Sequence, residues 1–455
     1  MYNKKMKLED LKNKKIMLFG KSRSFSLDEL KMQLKSHGAI LVQEYEKDVD
    51  CVVDGAMMTP VESLKSDEIY EKKEAEFIKV EILEELLSSA IDEDVLMMSL
   101  KLSSDKQRLI NFLTNENIND QFYFKLLGIY NWGNDDFYEN DDNRDVTASI
   151  IRRFYKNIDR NHNIEFSKLG LMHLVEQSSD PKLLEVIATL KPLRKSFKVQ
   201  KSDHGFKIII SLAKNTFTPK SVLKELIKES NVFIKVLISK RKNLDTQLQK
   251  LLFDEGSEEV LSSLASCENL SDELFQSLST KEFYVKKMAS SVKLDKEKYM
   301  FFKERVPSKL ATNETLSVEM QKDLLASHLE DVKESLAANK NISYETILEL
   351  LKLEDKRVDF FIYSNQSTPQ DVLKMGFDNI DNYDALAHNE NTPVDLLEKI
   401  YKSSSTNTCI ALAKNSSTPV EILYQLQLDS KYERYVKENP SFGKHIQQEN
   451  IGWQV

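Results

Sequence analysis

From residue 205 to residue 442 the apolar residues fall into fixed columns around one polar position. That position holds Asn215, Arg241, Cys267, Ser291, Asn313, Asn339, Asn365, Asn389, Asn415 and Asn439, at intervals of 22 to 26 residues, a period that marks stacked repeats. With this residue as position 0 of each repeat, position −3 is Leu212, Ile238, Leu264, Met288, Leu310, Leu336, Ile362, Leu386, Leu412 and Val436, without a polar exception. Position −2 is small (Ala213, Ser239, Ala265, Ala289, Ala311, Ala337, Ala387, Ala413), with Tyr363 as the departure; a small side chain lets neighbouring helices approach closely. Position −7 is Ile208, Ile234, Val260, Tyr284, Val306, Val332 and Val358. The resulting i,i+4 stripe predicts a short helix ending near position 0.

A second helix start follows each position 0. Thr218-Pro219, Thr368-Pro369, Thr392-Pro393 and Thr418-Pro419 predict a capping hydroxyl at N-cap and proline as the first helical residue. Asp371, Asp395 and Glu421 then fall at N3 and complete a capping box. Ser271, Asp295, Ser317 and Ser343 replace the proline elsewhere, with Glu273, Glu297, Glu319 and Glu345 keeping the acid, and there the helix start is expected to shift by one residue. Pairs such as Val222/Leu226, Leu248/Leu252, Leu396/Ile400 and Ile422/Leu426 form the apolar stripe of this helix. We call it the first helix of a repeat and the one ending at the next position 0 the second.

Neither helix can bury its stripe alone, so stacked repeats share one core. The pattern Ala-x-Asn-x-x-Thr-Pro-x-x-hydrophobic-Leu resembles the leucine-rich repeat variant family, a relative of the HEAT-like helical solenoids. The resemblance implies a mainly α fold, a right-handed α-solenoid of about 24–26-residue two-helix repeats. Some members carry an iron–sulfur cluster on an amino-terminal cysteine cluster; Cys51, Cys267 and Cys409 lie far apart, so no cluster is implied. Weaker copies at residues 115–121 and 177–181 place an irregular helical region with divergent repeats over 92–204, and residues 443–455 read as a tail.

Residues 12–90 change character. A strand over 15–19, a helix over 26–37, strands over 39–42 and 49–55, a helix over 61–75, a strand over 76–80 and a helix over 81–88 give the order βαββαβα. It resembles the BRCT domain in Gly38, in the Val49-x-x-Val52-Val53-x-Gly55 strand and in Phe77-Ile78-Lys79-Val80. Ile82 or Leu83 stands where that family carries a tryptophan, and a small toprim-like or Rossmann-like unit is the alternative. The resemblance implies candidate phosphate donors in Gly20, Lys21 and Ser22 after the first strand and in Lys65 of the second helix, set against a loop that docks protein without phosphate.

Composition adds limits. With 11 Gly and 9 Pro in 455 residues, hairpin-rich β folds lack turn material. A net charge of −9 offers no bulk attraction for nucleic acid or anionic membrane. Residues 1–11 form the start of a basic segment that runs to Arg23, read as a charged tail. Asp135, Asp136, Glu139, Asp141, Asp142 and Asp145 around Arg144 read as an acidic insertion loop. Residues 159–170 space oxygen ligands like a calcium loop but place Ile164 where glycine is needed and Gly170 where a bidentate glutamate is needed, so a solvated turn is expected. The seven histidines form no HExxH pair, and no phosphate-binding glycine loop occurs. The expectation is a non-catalytic, cytoplasmic scaffold without cofactor, metal or membrane contact. It binds a protein partner through the BRCT-like domain and through second helices carrying Lys286, Lys287, Lys309, Glu334, Phe360, Phe361 and Arg434. The alternative is a DNA repair or replication factor that meets DNA or a phosphoprotein through the amino-terminal domain.

Overall fold

A computed structural model describes residues 7–88, 90, 92–115, 118–158, 162–198 and 204–448, and their contacts form two compact units, Met1–Ile234 and Lys235–Val455. The first unit opens with a four-stranded parallel sheet of β1 (Lys15–Phe19), β2 (Ile40–Val42), β3 (Cys51–Asp54) and β4 (Glu76–Lys79), in the order β2-β1-β3-β4. Ile16 aligns with both Leu41 and Cys51, and Val52 with Phe77. The central strands read as continuous apolar runs because both their faces are covered: Ile16, Cys51, Val52 and Val53 are fully buried. Helices α1 (Leu27–Ser36), α2 (Pro60–Lys72) and α3 (Val80–Ser88) complete the expected βαββαβα order. Capping boxes start two of them, Ser26 with Glu29 and Thr59 with Glu62.

The helices that follow correct the acidic loop. Asp141, Asp142 and Asp145 belong to a helix, Asp141–Phe154, capped by Asn140, where two aspartates in the first turn meet the positive end of the dipole. Fully buried Asn143 ties the preceding loop to it: it accepts from the Tyr130 hydroxyl (2.9 Å) and donates to the Trp132 and Asp136 carbonyls. Residues 159–161 of the calcium-like stretch, and residues 1–6 and 449–455 of the tails, lie outside the described residues. The last helix, Pro440–Gln448, runs past residue 443 into the stretch read as a tail.

In the second unit successive second helices pack on one another and on their own first helices, a helical-repeat architecture. Position −3 is fully buried in every repeat from Ile238 to Val436, as is Leu212 in the first unit. The small side chains at −2 explain how the second helices come together.

The Thr-Pro punctuation works differently from expectation. The prolines 369, 393 and 419 are themselves the N-cap residues of helices Gln370–Gly376, Val394–Lys402 and Val420–Gln427. The threonine hydroxyls do not cap. Thr368, Thr392 and Thr418 donate backwards to the carbonyls of Ile362, Leu386 and Leu412 at 2.6–2.7 Å, a second donor to carbonyls at the end of the preceding helix that also accept the position 0 N–H. The proline-free repeats begin at the same column: Asp295, Ser317 and Ser343 are side-chain N-caps four residues after position 0. No register shift occurs, and the acidic column falls at N2, acting on the helix dipole rather than closing a box.

Position 0 is a ladder. Asn339 donates its amide to the carbonyls of Ala311 and Asn313, Asn365 to Ala337 and Asn339, Asn389 to Tyr363 and Asn365, Asn415 to Ala387 and Asn389, and Asn439 to Ala413 and Asn415, all at 2.7–3.0 Å. Each asparagine oxygen accepts the N–H two residues on, as in Asn389 from Asn391 at 2.8 Å. Every rung thus joins one repeat to the one before it with both amide hydrogens used. Cys267 and Ser291 lack the amide: the Asn269 N–H turns to the Cys267 sulfur, and the Lys293 N–H bonds to the Glu268 carbonyl at 2.8 Å.

A second rung depends on the absence of proline. Gln321, almost fully buried, donates to the carbonyls of Leu316 and Asn341 and accepts the Ser343 N–H at 2.8 Å; Gln249 does the same to Leu244, Asn269 and the Ser271 N–H. Where the following N-cap is proline, at 369, 393 and 419, the glutamine position is Ile347, Leu373 or Leu397, because proline has no N–H to satisfy. Gln321→Leu alone should therefore cost about 2–3 kcal/mol through unpaired backbone groups. Ser343→Pro gives up the serine cap on Thr346 but removes the N–H that Gln321 satisfied, so the double variant should lose about 1 kcal/mol less than the sum of the two singles. A double-mutant cycle by urea unfolding reads the coupling, and strict additivity would refute this account.

Candidate functional site

At the carboxyl ends of the strands, where open α/β sheets bind ligands, the loop after β1 folds around an internal anion. The Glu84 carboxylate of α3, 6% exposed, accepts from the Ser22 hydroxyl (2.6 Å), the Arg23 N–H (2.6 Å), the Ser24 N–H (3.1 Å) and the Ser24 hydroxyl (3.0 Å). The Gly20 N–H bonds to Glu62 at 3.2 Å, and the Lys21 N–H to the Ala56 carbonyl at 2.7 Å. Gly20 is required here: its φ is +71°, and a Cβ would lie 2.5 Å from the Ala56 oxygen. Gly20, Lys21 and Ser22 are thus brought together, yet the Gly20 and Lys21 amides and the Ser22 hydroxyl already serve protein acceptors, and Lys65 points to solvent on α2. Sequence reasoning missed Glu84, which in an amphipathic helix looks like any surface glutamate. Glu84→Gln turns an acceptor of four bonds into a group with its own N–H donors facing them, and should lower the stability of the first unit by about 2–4 kcal/mol. Thermal unfolding of the full chain with Tm read in the first unit measures it; an unchanged transition would remove Glu84 from this role.

The second-helix residues divide into paired and unpaired. Lys286 is paired with Glu282 (2.7 Å), Glu334 with Arg357 (2.9 Å) and Arg434 with Glu438 (3.0 Å). Phe360 is 39% exposed and lies edge-on to Phe361 at 5.9 Å and to His388 at 6.2 Å. Lys309 is exposed, and the Lys287 ammonium sits 5.3 Å from the ring of Phe283. Sequence reading missed Phe283, 54% exposed, and Arg305, whose guanidinium lies 4.1 Å from the Phe301 ring. Alignment to the column could have found both: Tyr284 and Val306 fill the buried position −7, which turns the residues before them outward.

Other chemistry is quiet. The Cys51 thiol is pushed up to about 12 by burial, far from the thiolate that nucleophilic work needs. Burial also raises Cys267. Among the described residues no three His, Cys, Asp or Glu side chains are grouped to hold a metal, and no helix is long and apolar enough to cross a membrane. A depression of about 1080 Å³ lies at the amino ends of the strands, where Lys14, Lys47 and Lys73 face Asp10, Asp48, Asp50, Glu74 and Glu76, with Lys14 paired to Glu76. No protein-family model matches the chain, and comparison with characterised proteins finds no significant match.

Proposed function

We propose that this chain is a non-catalytic docking scaffold, in which a right-handed solenoid resembling the leucine-rich repeat variant and HEAT-like families offers the row of second helices as its concave binding face. A BRCT-like domain forms its amino-terminal end. The observation that carries this reading is how each repeat uses its side chains. The asparagines and threonines of the turns and the buried glutamines of the first helices are consumed by backbone groups, whereas the second helices leave aromatic and cationic side chains exposed. Surfaces that keep aromatics and long cations exposed on a rigid frame are suited to protein recognition. Buried free thiols at 51, 267 and 409 favour a reducing, cytoplasmic setting. In the amino-terminal domain, Glu84 of α3 and Glu62 of α2 take up donors of the loop after β1, which favours protein docking over phosphate reading.

The test uses the full chain as bait, with Phe360→Ala/Arg434→Glu on the second helices and Lys352→Glu, a lysine at the end of a first helix, as control. Partner capture should fall in the first variant and persist in the control. Equal capture by all three would overturn the reading. Salt-dependent binding of duplex DNA by the unmodified chain would replace it with the alternative of a DNA-associated factor.

A further inference from the structure

We propose that the paired turns carrying Phe283, Lys287, Arg305 and Lys309 are the docking site for a short acidic segment of a partner protein, one that also offers an apolar side chain. This rests on the scaffold reading above and names the chemistry of its ligand. Residues 282–291 and 304–311 contain four cations, Lys286, Lys287, Arg305 and Lys309, against two carboxylates, Glu282 and Glu304. Lys286 is answered by Glu282 on its own helix. Of the carboxylates of the next second helix, Glu330–Ala337, Glu334 holds Arg357, Asp331 accepts the Ser308 hydroxyl, and Glu330 is exposed without an ion pair to either lysine. Lys309 is exposed and Lys287 half-buried, each without a carboxylate ion pair among the described residues, and their second helices, Glu282–Ser291 and Pro307–Ala311, pack directly on each other.

Phe283 supplies the apolar part. Its ring is half exposed, with the Lys287 ammonium over it at 5.3 Å, so an aliphatic or aromatic side chain can cover the exposed part as carboxylates reach the lysines. The extent of the patch selects the class of anion. The second helix before it begins with exposed Glu258 and Glu259, and the one after with exposed Glu330 and Asp331. Helices pack about 8–10 Å apart, so cations span only two adjacent helices before carboxylates return. A segment with a few acidic residues fits within that span, whereas a nucleic-acid duplex crossing it would lay phosphates over both acidic borders.

The experiment titrates the full chain into a fluorescein-labelled peptide of about twelve residues, with several glutamates flanking one leucine, and reads anisotropy at about 50 and 300 mM salt. A glutamine-for-glutamate peptide and a short DNA duplex run in parallel. We expect salt-sensitive binding of the acidic peptide, weakened about tenfold or more by Lys287→Glu/Lys309→Glu and several-fold by Phe283→Ala, and unchanged by Lys352→Glu. Phe283, Lys309 and Lys352 are exposed and Lys287 is partly so, and an unchanged unfolding transition checks that each variant folds. No binding, equal binding of the glutamine peptide, or undiminished binding by Lys287→Glu/Lys309→Glu overturns the proposal. Duplex binding lost in that same variant overturns the assignment to a protein segment. If partner capture fails with Phe360→Ala/Arg434→Glu but survives Lys287→Glu/Lys309→Glu and Phe283→Ala, the acidic-segment inference fails while the scaffold reading stands.

Discussion

Replacing Asn389 should cost the second unit more than its size suggests, and aspartate should be worse than alanine. Asn389 is fully buried, donates to the Tyr363 and Asn365 carbonyls, and accepts the Asn391 N–H. Its own backbone carbonyl receives the next rung from Asn415 at 3.0 Å. Asn389→Ala leaves the Tyr363 carbonyl and the Asn391 N–H without partners and takes one of two donors from the Asn365 carbonyl, which keeps the Thr368 N–H, an expected loss of about 2–4 kcal/mol. Asn389→Asp keeps the shape and the acceptor but sets a carboxylate oxygen against two carbonyl oxygens, so the loss should exceed that of alanine at neutral pH. The sign with pH follows. The introduced carboxyl has its folded-state pKa raised, so the folded chain takes up the proton first. The deficit should then shrink as pH falls from that raised value towards the unfolded value of about 3.9. Urea unfolding between neutral and acidic pH measures both effects, and an aspartate variant as stable as the native chain at neutral pH would refute the ladder as a bonded element.

The ladder also shows what the sequence could and could not reveal. The period, the buried columns and the small residue at −2 were legible because burial acts on side-chain type. The asparagine was visible as a landmark, but its partners are backbone carbonyls, which every residue carries alike. Thr-Pro was misread for a related reason. Thr59-Pro60 and Thr418-Pro419 share the same dipeptide with an acid three residues after the threonine, yet Thr59 caps α2 by accepting the Glu62 N–H, and Thr418 donates to the Leu412 carbonyl. The difference is the helix that ends just before Thr418 and sets the Leu412 carbonyl, six residues back, within reach of its hydroxyl. The serine and aspartate column at 271, 295, 317 and 343 marks the true N-cap, four residues after position 0, and reading it together with the prolines fixes the register.

In the sheet domain, the succession of strands and helices along the chain was legible from alternating apolar runs. The loop chemistry was not, since Glu84 lies 60 residues or more from the donors it receives. The acidic stretch was misjudged because its aspartates were counted as charge, whereas Asn140 and Asn143 set the helix start and the loop around it. On the second helices, Lys286, Lys287, Lys309, Phe360 and Arg434 were chosen from their spacing alone. The structure adds which of them are neutralised by neighbours, and that separates the cationic pair at 287 and 309 from the rest.

Gly376→Leu should be the most damaging single change in the repeats, and Tyr363→Ala should rescue it. Eleven residues after position 0 the column reads Leu226, Leu252, Leu278, Phe302, Leu324, Leu350, Ile400 and Leu426, all buried, with Gly376 as the exception. The same repeat carries the departure at −2, Tyr363, where its neighbours have alanine or serine. The two exceptions are one exchange of volume. A Cβ on Gly376 would lie 2.3 Å from Tyr363 Cε1 and 2.7 Å from Cδ1 and Cζ, so the ring occupies the space that a leucine fills elsewhere. Burial raises the Tyr363 hydroxyl to about 12, which fits a ring held inside the stack. Gly376→Ala should cost about 1–3 kcal/mol from overpacking, and Gly376→Leu more. Tyr363→Ala alone should cost about 3–5 kcal/mol from the cavity left behind. The double variant Tyr363→Ala/Gly376→Leu recreates the alanine–leucine pairing of the other repeats and should regain most of the stability lost in either single. Urea unfolding of the four proteins gives the coupling directly, and additive losses would show that the tyrosine and the glycine do not share one space.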